Sequence, residues 1–123
     1  MSLSVLDQLW DLHLNPNKQA PTSLIESNIS IDEGQDIQLE LLNRWLERGE
    51  EIGGWKIGMT SGASRNAMGD GIRPFGFILK SRINSSETML PLEQLQNGGV
   101  ENEVCFDFKT RLSKDTSPTQ AKN

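Results

Sequence analysis

The chain has 123 residues, 35% hydrophobic and 24% charged, which is the size and composition of one small globular domain with a modest core. Its 17 acids against 12 bases give a net charge of −5, and the bases are scattered, so a nucleic-acid or anionic-membrane surface is not expected. No apolar run approaches the ~20 residues that span a bilayer, and the N-terminus lacks the basic-then-apolar order of a signal peptide, so the expected location is cytoplasmic.

In chain order, Ser4 followed by Asp7 predicts a helix start, and Val5, Leu6, Leu9, Trp10 and His13 follow at helical spacing until "NPN" stops the segment. His13 is the single histidine, and a lone histidine on a helix earns no role by itself. After the turn-rich "QAPTSLIESN", Ser30 and Glu33 form a capping box that opens a longer helix running up to Gly49. Ile37, Leu41 and Trp45 recur every fourth position, flanked by Leu42 and Leu46, as one apolar stripe for core or interface packing. Gly34 weakens the first turn of that helix.

In "GGWKIGMTSGASRNAMG" (Gly53 to Gly69), Trp55, Ile57 and Met59 alternate with Lys56, Gly58 and Thr60, as in a strand with one apolar face. Lys56 is either a solvated edge residue or, given room by its glycine neighbours, a cation reaching into a cavity to bind a carboxylate or exchange a proton. Ser61 is expected to cap a short helix through Met68, and "RPFGFIL" (Arg73 to Leu79) to form a second strand. The stretch from Lys80 to Asn97 is polar, with "PLEQL" reading as one helical turn.

"GVENEVCFDF" (Gly99 to Phe108) alternates as a strand should. Val104, Phe106 and Phe108 would face a core, and Glu101, Glu103, Cys105 and Asp107 would share the other face. That acidic face is either simply solvated or a site for a hard cation, with Glu101 and Glu103 converging as oxygen ligands. Cys105, the single cysteine, cannot form an internal disulfide and reads as a packed thiol. Beyond Phe108 the apolar signal stops, and a flexible or surface-lying tail is expected.

The order "GWKIGMTS" (Gly54 to Ser61), "FGFIL", "VENEVCF" (Val100 to Phe106) resembles the hydratase/decarboxylase branch of the fumarylacetoacetate hydrolase superfamily, the 2-oxopent-4-enoate hydratases and 4-oxalocrotonate decarboxylases. There a K-I-G-L-T-S strand, a short helix, a D-F-G turn and an E-x-E strand occur at much the same spacing. The resemblance runs from about Ala20 to Leu112, and the combination of both motifs is more specific than either alone. It implies an α+β fold, in which N-terminal helices (residues 1–50) precede the first strands of a mixed β-roll (51–112), incomplete in this chain, with a polar tail (113–123).

The same resemblance makes Lys56 the active-site lysine, Thr60 and Ser61 substrate-binding neighbours, and Glu101 and Glu103 ligands for Mg2+ or Mn2+. The substrates it implies are short 2-hydroxy-dienoates or their 2-oxo acids, hydrated or decarboxylated through a metal-stabilised enolate. Two positions depart from the pattern. Pro74 stands where an aspartate precedes Phe-Gly, with Asp70 nearby in sequence, and Gly98-Gly99 replaces a Pro-Arg pair. The family's third acidic ligand would fall beyond Asn123, so the expected partner is a second polypeptide or another copy that completes the fold. The competing reading is a non-catalytic interaction subunit that docks through Ile37, Leu41 and Trp45.

Overall fold

The computed structural model describes residues 4–91 and 99–121. Helix α1 spans Val5–Leu14 and begins where the sequence sets it, with the Ser4 hydroxyl accepting the Asp7 backbone N–H at 3.1 Å. A single turn, α2 (Thr22–Ile25), follows, and the Ser23 hydroxyl donates to Gln8 Oε1 at 2.8 Å, tying α2 to α1. Helix α3 (Ile31–Glu47) opens on the complete capping box: Glu33 N–H donates to Ser30 Oγ at 3.2 Å, and Ser30 N–H donates to Glu33 Oε2 at 2.8 Å. Two otherwise orphaned donors are thereby satisfied at the end of the helix that carries most of the packing. No described helix is long and apolar enough to cross a membrane.

Strands β1 (Ile52–Ile57) and β2 (Phe75–Leu79) form one antiparallel pair, with Trp55 opposite Phe77, Lys56 opposite Gly76 and Ile57 opposite Phe75. An irregularity between Ile52 and Gly54 breaks the register at Gly53. A Cβ there would lie 2.6 Å from Ile83 Cδ1 and 2.9 Å from Lys80 Cα, so only glycine admits the 3-10 turn Lys80–Arg82 so close to β1. Helices precede a small sheet, as an α+β chain should.

The core lies where α1, α3 and β2 meet. Leu41, Leu42 and Leu79 are its buried apolar residues, and Trp10 packs edge-on against Trp45 with ring centroids 4.9 Å apart. His13 sits beside Phe77 at 6.3 Å and its Nδ1 accepts the Trp45 indole N–H at 3.2 Å. Arg44 donates to Asp7 Oδ1 at 2.9 Å while its guanidinium lies 5.8 Å from the Trp10 ring. Within the stripe of Ile37, Leu41 and Trp45, Leu41 is buried and Trp45 packs on Trp10, so part of it serves the core, as core or interface packing was expected to.

Three expectations are corrected. The helix expected over Ser61–Met68 is a series of turns, because Gly62 takes φ +67 at the position where the helix would begin, and the chain closes instead through bonds such as Ala67 N–H to Ser64 O at 3.0 Å. Gly99–Phe108 is not a strand, and Val104, Phe106 and Phe108 are exposed at 80%, 74% and 52%. Apolar alternation makes a strand only when a neighbouring edge and an apolar surface are there to receive it. Cys105, on the same segment, is consequently exposed instead of packed. In the tail, Pro118–Ala121 forms a short helical turn, α4, where the Ser117 hydroxyl accepts the Gln120 N–H at 3.3 Å, a signal of Ser-Pro-x-Gln type legible in the sequence. The turn expected at "PLEQL" lies outside the described residues.

Candidate functional site

Phe75 and Phe77 share the face of β2 that looks toward the helices, since both line clefts against α3. By alternation, Lys56 on β1 projects from the opposite face. Its neighbours there are small: Gly54 and Gly58 lie two residues away on its own strand line, and Gly76 is its cross-strand partner. A Cβ at Gly54 or Gly76 would meet nothing within 4 Å, so the lysine stem is free to swing. The glycine of "FGFIL" is the one member of this arrangement that the sequence reading passed over, although its place in an otherwise apolar run marks it.

Lys56 Nζ pairs with Glu101 Oε2 at 3.0 Å and with Glu103 Oε1 more closely still. Three residues singled out in two motifs, more than forty positions apart in the chain, thus meet at one point. The ion pairs bring the Glu101–Glu103 segment beside β1. All three side chains keep water access, at 43%, 71% and 52% exposure for Lys56, Glu101 and Glu103, so the pairs are screened. The bond to Glu103, then that to Glu101, holds the Lys56 ammonium above the ordinary lysine range. Lys56 is thereby held as a cation at neutral pH.

Two carboxylate oxygens converging on one cationic centre are a hard-oxygen donor set of the kind Mg2+ or Mn2+ takes. In chemistry Glu101 and Glu103 fit such an ion, but among the described residues no group of three or more His, Cys, Asp and Glu is arranged to hold one. Thr60 and Ser61 lie on the exposed bend after Met59, which leaves the strand at φ +53. Asp70 is exposed as well, and Pro74 serves the sheet, its carbonyl accepting the Gly58 N–H at 2.8 Å.

No protein-family model matches the chain, and no solved structure matches it. The chain is similar to a 2-hydroxypent-2,4-dienoate hydratase of Pseudomonas putida, with 32% identity over 107 residues. The matched region is 86% of this chain and 48% of the relative, so the chain spans about half the length of the curated relative it matches.

Proposed function

We propose that this chain is one part of a divalent-metal-dependent lyase, a hydratase or decarboxylase of short 2-hydroxy-dienoates or 2-oxo acids, completed by a second polypeptide or another copy. The observation that carries the reading is the convergence of Glu101 and Glu103 on Lys56. The similarity to a dienoate hydratase over 86% of the chain supports the substrate class. In this reading residues 51–112 form the first part of a larger mixed β-roll, and the apolar side chains Val104, Phe106 and Phe108 are covered by the polypeptide that completes it.

Glu101 and Glu103 would hold the cation, with Lys56 beside them. A divalent cation bound there would supply electrostatic stabilisation of the enolate-like charge that forms when the dienol gives up its hydroxyl proton or when a 2-oxo acid loses CO2. With the two carboxylates engaged by such a cation, Lys56 would be free to hold the substrate carboxylate, as a point charge on a flexible stem. It would also take part in proton transfer with the substrate. Thr60 and Ser61, on the bend beyond Lys56, would offer hydroxyls to the substrate once that bend is covered.

One observation favours a non-catalytic interaction subunit instead: Pro74, where the resemblance calls for an aspartate, has its carbonyl committed to Gly58 and brings no polar side chain. The two readings separate on cation binding. Titrating Mn2+ into the full chain, alone and with its co-purifying partner, and following the free-ion paramagnetic signal should reveal a saturable site that Glu101→Gln and Glu103→Gln each abolish. Absence of any saturable site in both preparations overturns the lyase reading.

A further inference from the structure

Lys56 Nζ lies between Glu101 Oε2, at 3.0 Å, and Glu103 Oε1, so a positive charge already stands where the two carboxylates converge. An ammonium is a compact point charge with three donors, and it meets the same electrostatic need that a hard cation meets through the same oxygens. The two cannot meet it together. A divalent cation entering between Glu101 and Glu103 takes the oxygens that Lys56 holds, and a cation and an ammonium left side by side repel.

The surroundings let the lysine leave. Lys56 is opposite Gly76 and two residues from Gly54, and a Cβ on either glycine would meet nothing within 4 Å, so the stem has open space to swing into. The glutamates belong to a segment outside the β1–β2 sheet and can re-aim without breaking its ladder. Because all three side chains are exposed, no charge is left buried and unpaired when the ion pairs open.

We infer that Lys56 is a built-in competitor for the cation site beside it: with no cation bound, its ammonium closes the Glu101–Glu103 pair, and a divalent cation binds only by displacing it. The inference rests on the lyase reading, since it needs Glu101 and Glu103 to be cation ligands. Its consequence is that Lys56 weakens cation binding instead of assisting it, and that each cation bound frees one ammonium for a carboxylate. By linkage, cation and carboxylate substrate then strengthen each other's binding.

The test is a titration of Mn2+ into full-length wild type, Lys56→Met and Lys56→Arg, following the free-ion paramagnetic signal, with circular dichroism to check that each chain is folded. Lys56→Met keeps much of the stem and removes the charge. It is expected to bind Mn2+ about three- to tenfold more tightly than the wild type, the worth of two exposed ion pairs. Lys56→Arg restores a positive charge and should bind no more tightly than the wild type. Equal or weaker binding by Lys56→Met, or an equal gain in both variants, overturns the inference and leaves the lyase reading standing. Absence of a saturable site in the wild type and in both variants overturns the two together.

Discussion

Two residues show opposite electrostatic surroundings. Lys56 faces two carboxylates and is held in its charged form, while His13, the lone histidine, is pressed against Trp45 and Phe77 near Arg82 and is held neutral. The histidine makes a pH prediction whose sign follows from its shift. In the unfolded chain the imidazole titrates near 6.5, and in the folded chain lower, so between those values the unfolded state binds more protons. This contribution to stability is complete above pH 6.5 and is lost as pH falls through 6.5 toward the folded value. The depressed carboxylates Asp7, Asp11, Glu33 and Glu51 act at lower pH, since their contributions are lost only as pH falls below their ordinary values of 3.8 and 4.5. Melting temperatures between pH 7.5 and 5.5 should therefore decline for the wild type and stay level for His13→Gln, which can still accept from Trp45 but does not titrate. Parallel curves would place the dependence elsewhere.

Among the elements, α3 is the best specified and β1 the most constrained by its neighbours. The Ser30–Glu33 box, the apolar stripe and the stop at Glu47 all point to the same helix, so local and tertiary preferences agree. Gly34 is the exception within it. A Cβ at that position would meet only Ile29 Cδ1, at an ordinary 3.9 Å, so Gly34→Ala should stabilise the chain by about 0.5–1 kcal/mol through backbone entropy. At Gly53 the same substitution has the opposite sign. Its Cβ would intrude on Ile83 and the Lys80 backbone, and Gly53→Ala should cost about 1–3 kcal/mol as β1 and the following turn separate. Urea midpoints of the two variants, shifting in opposite directions from the wild type, are the check.

At the scale of the whole molecule the surface is too large for the mass. The chain exposes 10547 Å2, whereas a folded monomer of 13.7 kDa exposes about 6,600 Å2. The excess is roughly 4,000 Å2. It includes Trp55, Ile57, Val104 and Phe106, all at least half exposed. Because the denaturant slope follows the area released on unfolding, the isolated chain should show an m-value about 30% below that of an ordinary domain of its length. Urea titration of the isolated chain tests this. A full-sized slope for the isolated chain would mean that it closes its own core in solution.

The amino-acid order alone determined α1 and α3 with their caps, because helix starts are local events: Ser4 with Asp7 and Ser30 with Glu33 satisfy donors only three residues away. It also determined the strand alternation around Trp55 and Phe77, and it singled out Lys56, Glu101 and Glu103 through motifs that resemble a known family. Only the tertiary structure decided that these three meet, that Trp45 bonds to His13, and that Gly62 turns the chain where a helix was expected. The segment Gly99–Phe108 marks the boundary between the two kinds of knowledge. Its pattern states which face would be buried, but a strand exists only when a second edge supplies its hydrogen bonds, and pairing between distant segments is a property of the assembled chain.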